Sequence, residues 1–209
     1  MSRIDAREAI LASALKLFGE RGFDGVPTTE ILEGAGQRNQ TALQYHFGSR
    51  EGLYRAIVLQ RLKAIDARRL AILDPRGRGS ARPDLTTSLR ALIEPLVEEA
   101  LQGEGGADHV RFLRQFCARP GFSITAATQS LNLPGMNLMI AALDRHAPPP
   151  PGAEAGFSTG LMLQVTVAML ASWLQASGPY FSAAAFQAAA LESCRAIRRG
   201  LLAQAETGA

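Results

Sequence analysis

Residues 26–53 read V-P-T-T-E-I-L-E-G-A-G-Q-R-N-Q-T-A-L-Q-Y-H-F-G-S-R-E-G-L. The pattern predicts two short helices joined at Gly36, the first opening at Pro27 and Thr28 and the second covering about residues 39–45. The second helix carries no acidic side chain. A helix pair with a tight glycine turn is one of the few small units that presents a helix to the major groove of DNA. Nucleic-acid binding is therefore the first function to weigh.

A unit of this kind needs an apolar seam, a small residue at the turn and polar side chains on the outer face of its second helix. Arg, Asn and Gln can pair with base edges, while Thr and Tyr reach phosphate or a thymine methyl. A helical hairpin with a solvated polar face fits the composition equally well. The expected seam is Ile31, Leu32, Ala35, Leu43 and Phe47, and the expected outer face is Arg38, Asn39, Gln40, Thr41, Gln44, Tyr45 and His46.

Helical periodicity continues through the rest of the chain, without a strand pattern or an internal repeat. The predicted fold class is all-α, with a three-helix domain over residues 1–48 and a larger helical domain over residues 49–209. A fourth helix over about 49–73 connects the two, and residues 74–83 have the composition of a linker. Further helices are predicted over about 84–101, 107–118, 122–131, 135–146, 156–177 and 181–205.

Charge is unevenly distributed along the 209 residues, whose net charge is +3. Residues 1–78 hold 13 Lys and Arg against 9 Asp and Glu, whereas the rest of the chain holds 9 against 10. A basic surplus at one end suits a polyanionic partner for that end, although chance asymmetry on solvated helix faces would look the same. Lysine occurs only at Lys16 and Lys63, so phosphate contacts are expected mainly from Arg, hydroxyls and backbone amides.

Composition argues against a membrane or secreted protein. The longest apolar segment, residues 160–176, is interrupted by polar residues such as Gln164 and Thr166, so a buried or interface helix is expected rather than a membrane span. The N-terminus has no apolar core of a signal peptide. Cys117 and Cys194 lie in apolar helical contexts and are expected to be buried thiols in a reducing compartment. The predicted location is the cytoplasm.

No enzyme motif is found in the sequence. A nucleophile with its base, a glycine-rich phosphate loop, paired carboxylates and metal-ligand spacing are all missing, so no catalytic residue, metal or cofactor is predicted. His46 is expected to pack at a helix end. His109 and His146 stand apart in the sequence from any carboxylate or cysteine cluster. Glu98 and Glu99 are expected on a solvated face.

Two segments, F-D-G-V-P-T-T-E-I-L-E-G-A-G and Q-Y-H-F-G-S-R-E-G-L-Y-R-A-I, carry a family resemblance. With the surrounding residues 5–73 they resemble the N-terminal domain of TetR-family transcriptional regulators. The resemblance implies a homodimer whose recognition helices enter successive major grooves of a palindromic operator on double-stranded DNA. It also implies a helical C-terminal domain that pairs the subunits and holds a small-molecule inducer.

The resemblance assigns positions in the first domain. Thr28 and Thr29 would lie at the start of the second helix against the DNA backbone, and Arg50 would lie beside phosphate at the foot of the fourth helix. Gln40, Thr41, Gln44, Tyr45 and His46 would lie on the recognition helix or at its end. Family members usually have one residue fewer before the Tyr-His-Phe motif, so the turn or the helix start is longer here. Pro27 replaces a capping Ser or Thr, which makes Thr28 the expected cap.

The resemblance also places the dimer interface on the helices near 156–177 and 181–205. One stripe there is Leu161, Val165, Ala168, Met169, Ser172 and Gln175, and another is Phe186, Ala190, Cys194 and Ile197; either can instead be intrachain core.

An inducer pocket is expected among the middle helices, for a largely apolar or aromatic molecule. Large apolar residues at helical spacing are more often core than cavity. A dimeric helical binding protein without sequence-specific DNA binding is the alternative, which the longer turn favours. The expected ligand contacts are Phe112, Phe116, Met136, Met139, Met162 and Trp173.

Overall fold

The computed structural model describes residues 3–79, 82–129, 131–177 and 182–207. Every regular element in these ranges is a helix, which confirms the all-α class. Residues 1, 2, 80, 81, 130, 178–181, 208 and 209 belong to the predicted helices, linker and domains and lie outside the described residues. The helices are α1 (Arg3–Arg21), α2 (Thr28–Gly34), α3 (Ala42–Phe47), α4 (Arg50–Leu73), α5 (Leu85–Ala100), α6 (Glu104–Cys117), α7 (Ile124–Gln129), α8 (Pro134–His146), α9 (Phe157–Ser177) and α10 (Ala183–Thr207).

Helix α3 begins three residues later than predicted and extends to Phe47. The side-chain oxygen of Asn39 accepts hydrogen bonds from the backbone N–H of Thr41 at 2.9 Å and from its hydroxyl at 2.8 Å. A short polar side chain that bonds the backbone two residues on favours a turn over a helix. Asn39 therefore ends the turn, and the helix starts after Thr41.

Helices α1, α2 and α3 pack together with the start of α4 as one N-terminal unit. Ile10, Ala14 and Phe18 recur every four residues on α1 and are buried. The hydroxyl of Ser13 donates to the carbonyl of Ile31 at 2.9 Å. A Cβ atom at Gly34 would lie 2.5 Å from that hydroxyl oxygen, so the glycine lets α1 and α2 approach closely.

Helix α4 contacts both parts of the chain. Its start meets α1 and α3, and it also packs against α5 and α8. Helix α1 lies along α6, which adds a second contact between the N-terminal unit and the later helices.

Helix α5 continues through Pro95, which is buried inside it. Proline has no N–H, so the carbonyl four residues earlier, at Ala91, loses its partner within the helix. The Nε of Arg69 on α4 donates to that carbonyl at 3.1 Å. The buried acceptor that the proline releases is therefore paired by a neighbouring helix.

Helix α8 begins against the buried carboxylate of Asp66 on α4. The backbone N–H of Gly135 donates to one carboxylate oxygen at 2.9 Å, and that of Met136 donates to the other at 2.6 Å. A Cβ atom at Gly135 would lie 2.5 Å from the carbonyl oxygen of Asp66, so the close contact needs glycine there. A side chain almost 70 residues away in sequence therefore caps α8.

Helix α9 packs against α6, α8 and α10. By length and composition alone its residues Phe157–Ala176, with a mean hydropathy of 1.4, could cross a membrane, and half of the most apolar part of this stretch is buried in the fold. On α10, Phe186, Ala190 and Cys194 are buried within the chain. Of the two expected stripes, the one on α10 is therefore intrachain core, while the one on α9 is half-buried or exposed.

Candidate nucleic-acid interface

The turn after α2 is a Schellman motif. The N–H of Gly36 donates to the carbonyl of Glu33 at 2.9 Å, and the N–H of Gln37 donates to the carbonyl of Leu32 at 2.8 Å. Gly36 has a φ of +65°, which glycine adopts without the steric cost of a Cβ atom. The turn glycine predicted from the sequence is confirmed.

The predicted seam holds α2 and α3 together. Ile31, Leu32, Ala35 and Leu43 are buried. Phe47 is half-buried, and the Arg7 guanidinium lies 5.3 Å above the centre of its ring. The seam fixes the angle of α3 and leaves its opposite face pointing outward.

That opposite face is polar and exposed. Tyr45 is 63% exposed, an unusual position for a large aromatic side chain. Its ring makes an edge contact with the ring of His46, with centroids 5.0 Å apart. His46 is half-buried at the end of α3, as expected for a packing residue. The exposed residues of this surface, which we call the recognition face, are Arg38, Asn39, Gln40, Thr41, Gln44 and Tyr45.

The structure divides the recognition face into two parts. Gln44 and Tyr45 lie on α3, whereas residues 38–41 lie in the turn before it. The four residues 38–41 therefore belong to the turn, and α3 itself begins only at Ala42. Asn39 and Thr41 bond each other within the turn, so their positions are set before any partner arrives.

Thr28 and Thr29 form the first turn of α2. Thr28 is half-buried and Thr29 is exposed. The N-cap is Pro27, and no side chain accepts a hydrogen bond at this helix start. The expectation that Thr28 caps α2 is therefore wrong, because Thr28 is already inside the helix.

Arg50 holds the loop before α2. Its Nη2 donates to the carbonyl of Phe23, and its guanidinium lies 4.7 Å from the centre of the Phe23 ring and 5.3 Å from that of Phe18. The side chain is half-buried. In this conformation Arg50 ties the start of α4 to the α1–α2 loop, an internal role that the sequence did not indicate.

The junction of α3 and α4 is fixed at close range. Gly48 has a φ of +73° and ends α3, and the hydroxyl of Ser49 accepts the N–H of Gly52 at 3.0 Å as the N-cap of α4. A Cβ atom at Gly52 would overlap the carbonyl oxygen of Phe47. The orientation of the recognition face relative to α4 therefore depends on a glycine at position 52.

A group of aromatic rings in tilted and edge-to-face contact joins this unit to α6. The Tyr54 ring lies 4.9 Å from Phe23, 5.1 Å from Phe112 and 5.8 Å from Phe116, measured between ring centres. Burial raises the pKa of Tyr54 to about 12, although the guanidinium of Arg119 opposes the shift. We call Phe18, Phe23, Tyr54, Phe112 and Phe116 the aromatic cluster.

An apolar cavity of about 40 Å³ lies among the middle helices. Of the expected ligand contacts, Phe116 and Met136 line it. The others lie elsewhere: Phe112 belongs to the aromatic cluster, Met139 and Met162 are buried in the core, and Trp173 packs edge-on against Phe186 at 5.5 Å. Sequence spacing could not separate cavity wall from core.

A buried ionic group of Arg61, Glu99 and His109 lies between α4, α5 and α6, and the sequence pattern did not predict it. Glu99 is only 1% exposed, so its expected place on a solvated face is wrong. Its carboxylate lies 2.7 Å from Nη1 of Arg61 and 3.3 Å from Nδ1 of the buried His109. Burial alone would raise the pKa of Glu99, but the contacts with His109 and Arg61 outweigh it and lower the pKa to about 2. His109, remote from carboxylates in the sequence, thus contacts one in the fold.

Comparison with known proteins places the helix pair in a family. The family model described as bacterial regulatory proteins, tetR family, matches residues 10–57, which run from α1 into α4 and contain the whole recognition face. This match identifies the segment as a TetR-type helix-turn-helix.

Two solved structures are also similar to the chain. One, from Rhodococcus sp., is assigned to the TetR family of transcriptional regulators; it is 17% identical, with 93% of this chain and 99% of that chain covered and a TM-score of 0.45. The other is a TetR-family transcriptional regulator from Pectobacterium atrosepticum, 23% identical, with 95% of each chain covered and a TM-score of 0.43. Comparison with the curated proteins gave no match.

Proposed function

We propose that this chain, whose residues 10–57 carry the N-terminal helices of the TetR family, is a ligand-responsive DNA-binding regulator of transcription. The proposal is a cytoplasmic repressor that binds a palindromic operator as a homodimer and leaves it when a small apolar or aromatic inducer binds. In this proposal residues 1–48 form the DNA-binding domain, and residues 49–209 form the ligand-binding and dimerisation domain.

The observation that carries the proposal is the recognition face itself. Six exposed polar or aromatic residues stand on a turn and helix whose other side is locked by a buried seam. Gln44 would read base edges, since Gln pairs with adenine in the major groove, and Tyr45 would reach phosphate or a thymine methyl. The turn before α3 would add DNA contacts from Arg38, Asn39, Gln40 and Thr41. His46 would hold the ring of Tyr45 in place through their edge contact. The sugar-phosphate backbone of the DNA would be contacted by Thr28, Thr29 and Arg50.

The exposed side of α9 supports a homodimer. Leu161, Val165 and Met169 are half-buried in the single chain, and Ala168 and Ser172 on the same stripe are exposed. Small residues beside aliphatic ones let helices of two subunits approach closely. We propose that α9 and the outer side of α10 form the subunit interface. A two-fold pair would set two recognition faces about 34 Å apart, one turn of DNA.

The switch would run along α4. Phe116 lines the apolar cavity and also contacts Tyr54 within the aromatic cluster. Arg50, one turn before Tyr54, ties α4 to the loop that precedes α2. A ligand that displaces Phe116 would therefore shift Tyr54 and the start of α4, and release follows if the ligand prefers the shifted state.

The test is binding to selected duplexes. DNA fragments enriched by the purified protein should contain a palindrome, and affinity should fall steeply with salt because phosphate neutralisation releases counterions. Gln44→Ala and Tyr45→Ala should each weaken operator binding by roughly 5- to 150-fold, the range of 1–3 kcal/mol per base contact. The exposed Gln60→Ala on α4 is the matched control and should bind normally.

The alternative, a dimeric helical binding protein, predicts a different outcome. That protein would dimerise yet enrich no sequence, and its weak DNA binding would not respond to either substitution on α3. Unchanged affinity in both variants, with the thermal unfolding temperature also unchanged, would reject the recognition face as the DNA-binding surface.

A further inference from the structure

A second cavity, of about 250 Å³, lies between the N-terminal unit and the end of α6. The end of α1, the loop after it and Tyr54 of α4 form one wall, and the last turns of α6 with the residues after them form the other. We call this cavity, which is open to solvent, the outer cleft. Phe116 lines both the outer cleft and the smaller apolar cavity. A ligand in the outer cleft would therefore touch the ring on which the proposed switch depends.

Aromatic rings form the floor of the outer cleft. Phe23, Tyr54 and Phe116 line it and are half-buried, so part of each ring is accessible from it. Such rings favour a further aromatic group in offset-stacked or edge-to-face contact. An apolar cavity of ~150 Å³ is enough to hold benzene, so the 250 Å³ of the outer cleft have room for one ring and a polar group.

The guanidinium of Arg119 lies over this floor. Its central carbon is 5.6 Å from the centre of the Phe23 ring and 5.4 Å from that of the Tyr54 ring. The side chain is exposed, and within the described part of the chain it has no carboxylate partner. Contact with two rings restricts the guanidinium, and its planar N–H groups can still bind a carboxylate in a bidentate manner.

The other polar groups of the outer cleft compete little with Arg119 for an anion. Arg21 forms an ion pair with Glu30. Asp24 is exposed, so water and salt screen its negative charge. Gln115 is half-buried and supplies a neutral amide that can donate a further hydrogen bond. Arg119 is therefore the group best able to bind an anion in this cleft.

We propose that the outer cleft is the effector site of the proposed switch and that it binds a small aromatic carboxylate. The carboxylate pairs with Arg119, and the ring of the ligand packs on Tyr54 and Phe116. This inference rests on the proposed function and places its ligand outside the apolar cavity. That cavity, of about 40 Å³, holds only about three water-sized spheres at ~10–15 Å³ each.

The site couples ligand and DNA because its two walls belong to different units. Tyr54 and the α1–α2 loop belong with the helices that carry the recognition face, whereas Phe116 and Arg119 belong to α6 and the residues after it. A ligand that contacts both walls favours one relative position of the two units. DNA that prefers a different position then changes the affinity for the ligand by the same factor as the ligand changes the affinity for DNA.

Binding is measured by calorimetry on the full-length protein without DNA. Benzoate, phenylacetate and 3-phenylpropanoate are each titrated beside the corresponding primary amide. At least one acid should bind about tenfold or more tightly than its amide, because the carboxylate gains a charge-assisted hydrogen bond with Arg119. Cyclohexanecarboxylate should bind more weakly than benzoate, since it offers no aromatic ring to the floor of the cleft.

Four variants locate the site. Arg119→Gln should abolish the preference for acid over amide, and it should fold because the side chain is exposed. Arg114→Gln on α6 is the matched control: it removes the same charge from the wall of a different cleft and should retain the preference. Gln115→Trp, which places a large ring in the outer cleft, should weaken acid and amide alike. Asp24→Asn should bind the acids at least as tightly as the wild type.

The inference would be overturned by equal binding of every acid and its amide, by no binding of any acid, or by equal binding of benzoate and cyclohexanecarboxylate. An acid preference that survives Arg119→Gln would overturn it too. Weaker acid binding in Asp24→Asn would have the same meaning, because it would show that the cleft selects positive charge.

Operator binding with and without the tightest acid is measured separately by fluorescence anisotropy. A change in operator affinity that Arg119→Gln removes supports the effector site. Acid binding that leaves operator affinity unchanged overturns the effector role, although the proposed DNA binding stands. Acid binding by a protein that selects no DNA sequence rejects the proposed function and leaves the aromatic carboxylate site.

Discussion

The recognition face and the junction of α4, α5 and α8 place the same kinds of side chain in opposite settings. Arg38 and Asn39 are exposed in the turn before α3, while Arg69 and Asp66 are buried between helices. The exposed polar groups can be changed at little cost to the fold, since the seam beneath them is apolar. The buried ones hold helices together, so each has to be matched. The comparison separates a surface available for a partner from polar groups that hold the fold.

The largest expected effect comes from the buried side of this comparison. Asp66→Asn should lower the free energy of unfolding by roughly 3–5 kcal/mol, because it weakens the cap of α8 and leaves Arg69 without a counter-charge. Urea denaturation followed by circular dichroism measures it. Glu192→Gln, which removes an exposed partner of Arg195 on α10, is the control and should stay within about 0.5 kcal/mol. A loss as small as that of the control would mean that the carboxylate is not essential to the junction.

A second change acts at the boundary of the recognition face. Gly52→Ala should cost roughly 1–3 kcal/mol, because the new methyl group overlaps the carbonyl of Phe47 and the α3–α4 junction has to move. It should also weaken operator binding, since α3 turns with the junction. Gly200→Ala on α10 is the matched control: no atom of the described residues lies within 4 Å of the added Cβ, and the change should stabilise the protein by about 0.5–1 kcal/mol. Equal stability of the two variants would show that the α3–α4 junction accommodates a methyl group at position 52 without strain.

The smallest effect concerns pH and the buried group around Glu99. Burial lowers the pKa of His109 below its ordinary 6.5, although Glu99 opposes the shift. As the pH falls below 6.5, His109 becomes protonated in the unfolded chain but stays neutral in the native protein. The free energy of unfolding therefore decreases by at most about 1.4 kcal/mol per pH unit. The contribution of Glu99 is lost only below about 4.5, its ordinary pKa, as the pH falls toward 2. Thermal unfolding at pH 7.5, 6.5 and 5.5 should therefore show a slope that His109→Gln reduces. Identical slopes in the wild type and in His109→Gln would contradict a contribution of His109 to the pH dependence.

The recognition face could be predicted because its determinants are local. Gly36, Leu32 and Glu33 form the turn within six residues, and the seam repeats at helical spacing. The start of α3 was placed too early because Asn39 suits either a turn or a helix start, and its bond to Thr41 decides for the turn.

The buried contacts could not be predicted from the sequence. The carboxylate of Asp66 accepts a hydrogen bond from Gly135, 69 residues away in sequence. The carboxylate of Glu99 accepts one from Arg61, 38 residues away. No periodic pattern encodes such pairs, since they depend on how helices cross. The expected ligand contacts could not be sorted by position for the same reason: only the packing distinguishes Met136 in a cavity wall from Met139 in the core.

The proline in α5 has a mechanical consequence. With any other residue at position 95, the carbonyl of Ala91 would return to the hydrogen-bond ladder of α5 and would be at best a shared acceptor for Arg69. The hydrogen bond that Pro95 removes from α5 is thus replaced by one that attaches α4 to α5. Any movement of α4 that keeps this attachment would pivot near Arg69 and would be largest at the N-terminal end of α4, next to the end of α3.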